Sequence, residues 1–426
     1  MGLSEEASAR RFAKFAAGLG ETIGNRVRCR HLKEYCTGLL LPGERKSVEP
    51  IAAKLAPDQA GAAHQRLLHF VNESEWSDEE VLSKVREMVL PAIERDGPIE
   101  AWIIDDTSFP KKGKHSVGVA RQYCGQLGKQ ENCQVAVWLS LANHHASLPV
   151  ACRLYLPQDW AQDAARREKA KVPPEIRFKT KPEIALDHLR AAVAAGLPPG
   201  VVLADADYGK DGHFRTQLTA LQLRYVAGVQ STILVWPPGK SPRRRGRALN
   251  NAGRRDEPDL ITVKELALSL PKKAWREIRW REGSADWLSS RFARVRVRAG
   301  HTYLPAEQIY EEWLLIEWPE GEDEPTKYWL STLPAEISFE TLVDTAKLRW
   351  RIERDYLELK QEIGLGHYEG RGWIGFHHHA TLSIAAYAFL ISERETIPPS
   401  RPASAAYFKV PPLPVGYRPR GSPRTA

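Results

Sequence analysis

The order of strands and helices predicted between residues 101 and 229 constrains the fold more than any other feature of this sequence. Short apolar runs bounded by turn residues predict strands, and apolar residues at helical spacing predict helices. The segment reads as three strands followed by helix, strand, helix, strand. The strands are predicted at Ala101 to Ile104, Cys133 to Leu141, Leu148 to Leu156, Val201 to Ala204 and Tyr225 to Val229, with helices opening at Pro182 and Asp211. This order predicts an α/β protein with a mixed sheet flanked by helices.

The same order is that of the ribonuclease-H-like fold, which is the predicted fold class. Length predicts further domains, because 426 residues exceed one ordinary domain. Residues 1–92 read as an N-terminal helical DNA-binding domain, since helical spacing there accompanies a basic cluster around Arg26 to Lys33. A solvated helix face is the competing interpretation of this cluster. The other predicted units are a catalytic core of residues 95–230, a β-rich insertion of residues 231–339, helices of residues 340–392 that complete the core, and a disordered tail of residues 393–426.

Composition indicates a soluble protein with a polyanionic partner. The chain has 61 Lys and Arg against 53 Asp and Glu, a net charge of +8 and a pI near 9.1. Its five cysteines show no paired spacing, which predicts neither a disulfide framework nor a zinc site. No signal peptide or membrane span is predicted. We therefore expect a cytoplasmic protein.

Two pairs of aspartates follow two of the predicted strands. Asp105 and Asp106 come directly after the first strand, and Asp205 and Asp207 follow the apolar run that ends at Ala204. Open α/β sheets place functional groups at the carboxyl ends of their strands. An acidic residue after a strand is often a plain loop residue, but two such pairs together indicate a site.

A predicted helix from about Ser338 to Ile363 supplies a third carboxylate. Arg349, Glu353 and Lys360 are spaced so that all three project from one helical face. An adjacent apolar stripe would pack the helix on the sheet and direct Glu353 to the sheet edge. The competing interpretation is an ordinary Arg-Glu pair on a solvated helix.

Carboxylates brought together repel unless cations neutralise them. Oxygen ligands favour Mg²⁺ or Mn²⁺ over zinc. Two such ions about 4 Å apart activate a water or a DNA 3′-hydroxyl and stabilise the departing oxygen of a phosphoryl displacement. The sequence therefore predicts that Asp105, Asp205 and Glu353 are catalytic residues and ligands of two Mg²⁺ or Mn²⁺ ions.

Three segments resemble the motifs of DDE transposases of bacterial insertion sequences. They are Ile103 to Thr107, Leu203 to Gly209 and Arg349 to Glu353. They match the insertion-sequence-four superfamily, and the stretches Phe109 to Gly113 and Val119 to Tyr123 resemble its insertion-sequence-seven-hundred-and-one branch. The resemblance covers about residues 101 to 387. It implies a ribonuclease-H-like core, a β-rich insertion before the glutamate, and a homodimer acting on double-stranded DNA at terminal inverted repeats and target sites.

The resemblance also implies roles for single residues. It favours Asp105 and Asp205 over Asp106 and Asp207 as ligands, assigns Arg349 and Lys360 to the DNA backbone at the cleavage site, and likens Trp350 to residues that stack on a flipped base. A core tryptophan is the competing interpretation of Trp350. Ala346 stands where the superfamily's third motif has tyrosine, which puts the DNA contact of that tyrosine in doubt.

Two other functions stay open at this point. One is a ribonuclease-H-like nuclease that cleaves without joining, and the long segment between Asp205 and Glu353 argues against it. The other is a domesticated, non-catalytic DNA-binding protein, and the presence of all three carboxylates argues against that. The run His377 to His379 is interpreted as a surface patch, because consecutive histidines on a helix diverge.

Overall fold

The computed structural model describes residues 3–240, 260–281, 287–300 and 310–397. The chain forms an open mixed sheet flanked by helices, compatible with the predicted ribonuclease-H-like fold. Parts of the predicted insertion, and the predicted tail from residue 398 onward, lie outside the described residues. In the described segments, no helix is both long enough and apolar enough to cross a membrane.

The N-terminal helices pack around one long helix from the end of the described chain. This helix is buried along most of its length and also contacts the sheet. The N-terminal helices are α1 (Leu3–Ile23), α2 (Arg26–Leu40), α3 (Val48–Leu55), α4 (Ala60–Asn72) and α5 (Asp78–Ile93), and the long helix is α14 (Trp373–Thr396). Helix α14 continues to Thr396. The prediction of a disordered tail of residues 393–426 is therefore wrong for residues 393–396, which are helical.

The central sheet begins with a meander and continues with parallel strands. Its order is β2-β3-β1-β5-β6, and β4 also pairs with β3. The strands are β1 (Ala101–Pro110), β2 (Ala120–Cys124), β3 (Lys129–Ala142), β4 (Ser147–Leu154), β5 (Val201–Ala204) and β6 (Tyr225–Val229). The connecting helices are α6 (Gln158–Gln162), α7 (Ala164–Lys169), α8 (Lys181–Ala194), α9 (Ala206–Gly209) and α10 (Gly212–Ala220).

Strand β1 is longer than the sequence predicts. Its continuous apolar run ends at Ile104, but the strand runs on to Pro110 because each residue up to Pro110 pairs with β3. Asp105 therefore lies in the middle of a strand and not at its end. The parallel pairing with β5 does stop early, at Ile103 opposite Leu203. Asp105 and Asp205 each come two residues after this last parallel pair.

The strands of the predicted insertion extend the same sheet. They join it through β12, which pairs with β6, and the order continues β12-β11-β10-β7-β8, with β9 on β10. The elements are β7 (Leu234–Trp236), β8 (Ile261–Thr262), α11 (Val263–Ser269), β9 (Arg276–Arg281), β10 (Trp287–Ala299), β11 (Glu311–Trp318) and β12 (Lys327–Ser331).

The predicted helix from Ser338 to Ile363 is broken into segments. It comprises α12 (Phe339–Lys347), a 3₁₀ turn (Leu348–Trp350), α13 (Arg351–Leu357) and a π-helical turn (Glu358–Ile363). The last turn ends at Gly364, whose φ of +88° only glycine adopts without strain. The π-helical turn changes the projection of side chains after Leu357, which simple helical spacing does not foresee.

The prediction that His377 to His379 form a surface patch is wrong. His378 and His379 are 3% and 1% exposed, because α14 is enclosed by other elements on several sides. The ring of His379 bonds the Tyr35 hydroxyl at 2.9 Å, and Nε2 of His377 accepts from the Leu154 amide at 3.2 Å. Burial lowers the pKa of each imidazole to about 4, so all three are neutral at pH 7.

Candidate active site

The two faces of the sheet separate Asp105 from Asp106. Side chains alternate between faces along a strand. Ala101 and Ile103 pack in the hydrophobic cluster that contains Leu342 of α12 and Ile352 of α13, so Asp105 shares the face covered by these helices. Asp106 points to the opposite face. Only Asp105 of the two therefore faces the helix that carries Glu353.

The guanidinium of Arg349 lies among all three predicted carboxylates. Its Nη1 is 3.0 Å from Oδ2 of Asp105 and its Nη2 is 3.4 Å from Oε1 of Glu353. Burial works against the charged form of Arg349, but the negative charges of Asp105, Asp205 and Glu353 outweigh it and hold its pKa above its usual value. Asp105 and Arg349 are 244 positions apart in the chain, so only the tertiary fold brings them together.

The carboxyl of Asp105 is largely buried, and its surroundings shift its pKa. It is 14% exposed, whereas Glu353 is 69% exposed. Burial raises the pKa of Asp105 to about 7; the charge of Arg349 opposes this rise, and those of Asp205 and Asp106 add to it. Burial and the neighbouring aspartates therefore favour the protonated carboxyl of Asp105, and Arg349 favours the ionised one.

Asp106 has partners of its own on the other face. Nζ of Lys181, the first residue of α8, is 3.0 Å from both carboxylate oxygens of Asp106. The Tyr208 hydroxyl donates to Oδ1 of Asp106 at 3.1 Å. Burial raises the pKa of Asp106, and the charge of Lys181 counters part of that rise. Asp106 is thus a partly buried, ion-paired carboxylate.

Asp205 and Asp207 also differ in their hydrogen-bond partners and exposure. Oδ1 of Asp205 accepts from the backbone amides of Asp207 at 2.9 Å and Tyr208 at 3.3 Å, and so caps the short helix α9. Asp207 is exposed and bonds Lys210 three residues later. One oxygen of Asp205 is held by the backbone, which fixes the carboxylate at the end of β5.

A close approach of two glycines places α9 against the sheet. A Cβ atom added to Gly209 would lie 1.9 Å from the carbonyl oxygen of Gly228 in β6. We expect Gly209→Ala to lower the free energy of unfolding by about 1–3 kcal/mol, because the helix must move away from the sheet. Urea unfolding measures this change. Gly61→Ala, at an open position in α4, is the control, and an equally small effect of both substitutions would contradict the tight contact.

The other predicted DNA contacts are Lys360, which bonds β1, and Trp350, which follows Arg349 in the chain. Nζ of Lys360 donates to the backbone oxygen of Ser108 in β1 at 2.8 Å, and burial lowers its pKa to about 8. Trp350 is half-buried and belongs to none of the hydrophobic clusters of the described residues, unlike a core tryptophan. Ala346 is buried in the cluster beneath α12, where its methyl group packs and offers no polar contact.

The three carboxylates offer the oxygen ligands that a hard divalent cation prefers, but they do not converge on one point. Asp105, Asp205 and Glu353 offer only oxygen ligands, as Mg²⁺ and Mn²⁺ prefer. In the part of the chain that the structure describes, no three His, Cys, Asp or Glu side chains are grouped to hold a metal ion. Arg349 instead lies between Asp105 and the exposed Glu353. The metal-ligand roles of these residues remain predictions.

The sequence did not point to Lys181 or to the hydroxyl of Tyr208. Tyr208 and Gly209 directly follow Asp207 in the second motif. This position next to the predicted aspartates could have indicated that Tyr208 belongs to the site. Lys181 opens a helix far from every motif, so only the fold brings it to Asp106.

Comparison with known proteins shows the family of this chain. The chain belongs to the family described as DDE superfamily endonuclease, whose model matches residues 18–286. The match includes Asp105 and Asp205 and ends before Glu353. The chain is also 31% identical over 189 residues to a protein of Microchaete diplosiphon described as "Probable transposase for insertion sequence element IS701". The alignment covers 44% of this chain and 45% of that relative, less than half of each.

Proposed function

We propose that this protein is a DNA transposase that cleaves DNA strands at the terminal inverted repeats of an insertion sequence and transfers them into target DNA. The observation that carries the proposal is the concentration of three distant carboxylates around Arg349. Membership of the DDE superfamily endonuclease family and the similarity to a probable transposase support it.

In this proposal Asp105, Asp205 and Glu353 hold two Mg²⁺ or Mn²⁺ ions. Bound at such a site, the ions supply an activated water or 3′-hydroxyl and stabilise the departing oxygen. Asp105 and Asp205 are fixed by the sheet and by α9, whereas Glu353 is exposed and has to approach them. Without metal, Arg349 pairs with Asp105 and Glu353 and offsets part of their negative charge. With metal held by the carboxylates, the guanidinium would be available to a DNA phosphate.

The domain organisation predicted from sequence belongs to the same proposal. Residues 1–92 bind DNA, residues 95–230 and 340–392 form the catalytic core, and residues 231–339 are an insertion. The protein acts as a homodimer on DNA in the cytoplasm, associated with the nucleoid. A plain nuclease and a non-catalytic DNA-binding protein are the alternatives, and no feature of the described residues favours either.

The proposal is tested with purified protein and DNA carrying the sequences that flank its gene. We expect Mg²⁺-dependent nicks at inverted repeats, followed by joining of the freed ends to a second DNA. Nicking without joining indicates the nuclease alternative, and binding without nicking indicates the non-catalytic one.

Arg349 and Lys360 are expected to bind DNA through charge. Replacing either with alanine should weaken binding to an inverted-repeat duplex and reduce the slope of log affinity against log salt by about one unit per lost phosphate contact. Fluorescence anisotropy at several salt concentrations measures both. Arg190→Ala, an exposed arginine on α8, is the matched control. Unchanged slopes for both site variants would remove these residues from the DNA contact.

The contribution of Lys360 is also expected to depend on pH. Its pKa of about 8 means that the amine is charged at pH 7 and mostly neutral at pH 9. The difference in DNA affinity between the wild type and Lys360→Ala should therefore shrink as pH rises from 7 to 9. The guanidinium of Arg349 remains charged over this range, so no comparable loss of its own charge is expected there. Equal deficits of Lys360→Ala at both pH values would contradict a charge-based contact.

A further inference from the structure

Tyr208 bonds two acidic side chains, one on β1 and one just after β5. Its hydroxyl donates to Oδ1 of Asp106 on β1, at 3.1 Å. Its backbone amide donates to Oδ1 of Asp205, just after β5, at 3.3 Å. The side chain is 1% exposed, so solvent does not replace either bond. Tyr208 thus connects the residue next to Asp105 with the carboxylate of Asp205.

The surroundings of Tyr208 restrict its movement. Its ring packs on Phe214, with the ring centroids 5.9 Å apart. The next residue, Gly209, is in close contact with the backbone of β6 at Gly228. Lys181 holds the Asp106 carboxylate from another side at 3.0 Å and is itself one-third exposed. The tyrosine hydroxyl therefore meets an acceptor whose position is fixed.

We propose that Tyr208 is a positioning residue that sets the separation of Asp105 and Asp205, with Asp106 as its anchor and not as a metal ligand. Asp105 and Asp106 are consecutive, so a bond that fixes Asp106 also fixes the strand at Asp105. Asp205 is fixed through the amide of the same tyrosine. The inference rests on the proposed function, because the separation matters only if the two aspartates share metal ions.

The test measures Mn²⁺ affinity by isothermal titration calorimetry on the full chain. Tyr208→Phe removes the hydroxyl and keeps the ring. We expect Mn²⁺ binding to weaken by about 10-fold to 100-fold, the usual effect of losing a residue that orients metal ligands. Tyr225→Phe is the matched control, because Tyr225 is 2% exposed and its hydroxyl donates to Glu312 at 2.7 Å, away from the site. It should lower the melting temperature comparably and leave Mn²⁺ affinity unchanged.

Substitutions at Asp106 test the same bond from the other side. Asp106→Ala removes the acceptor and should weaken Mn²⁺ binding as Tyr208→Phe does. Asp106→Asn keeps an oxygen acceptor for the hydroxyl and should restore most of the affinity. If Asp106→Asn instead abolishes binding, Asp106 is a ligand and the inference is wrong.

Asp105→Asn separates this inference from the proposed function. Loss of Mn²⁺ binding in Asp105→Asn together with unchanged binding in Tyr208→Phe overturns the positioning role and leaves the metal site intact. Unchanged binding in Asp105→Asn overturns the metal site itself.

Discussion

Glu353→Gln is expected to reduce DNA cleavage by about 10²-fold to 10³-fold, the usual effect of removing a principal electrostatic stabiliser of a transition state. The substitution removes a charge and preserves the size of the side chain. Glu353 is exposed and bonds only Arg349 among the described residues, so folding should be unaffected. DNA affinity should stay nearly constant, because the substitution removes no positive charge.

Cleavage of an inverted-repeat duplex in Mg²⁺ and binding of the same duplex in Ca²⁺ measure the two effects separately. Glu362→Gln, an exposed glutamate in the π-helical turn, is the control and should cleave like the wild type. Full cleavage by Glu353→Gln would falsify the role given to Glu353.

Asp105→Asn and Asp106→Asn are expected to differ sharply although the residues are neighbours. Asp105 faces α13 and Arg349, so its substitution should lower cleavage by about 10³-fold. Asp106 is paired with Lys181 and Tyr208 on the other face. Its substitution should mainly lower the free energy of unfolding, by about 1–3 kcal/mol, through the lost charged hydrogen bonds.

Single-turnover cleavage and urea unfolding of both variants distinguish the two effects. The wild type and Asp187→Asn serve as references, because Asp187 is a partly buried, ion-paired aspartate of α8. An equal loss of cleavage in Asp105→Asn and Asp106→Asn would contradict the separation of the two faces.

The sequence predicted the sheet because its apolar runs are short, β-branched and bounded by turn residues. It also indicated both aspartate positions, because Asp105 and Asp205 follow apolar runs that pair in parallel. The sequence also predicted that Arg349 and Glu353 lie one helical turn apart on the same face, and their side chains are in contact at 3.4 Å. These features depend on local pattern, and local pattern is what a single sequence contains.

Other features depend on tertiary contacts and were missed. Strand β1 continues beyond Asp105 because β3 also pairs with the polar residues that follow. The histidines of α14 are buried because helices from the other end of the chain enclose them. Lys181 reaches Asp106 across 75 positions. None of these contacts leaves a periodic signal in the sequence.

Locating Mn²⁺ by anomalous scattering, in crystals of the protein bound to an inverted-repeat end, tests the central claim most directly. The account predicts Mn²⁺ at the carboxylate oxygens of Asp105 and Asp205, with Glu353 moved toward them and Arg349 released from Asp105. Mn²⁺ bound at Asp106 or Asp207 instead, or absent from this site in a complex that cleaves DNA, would contradict it.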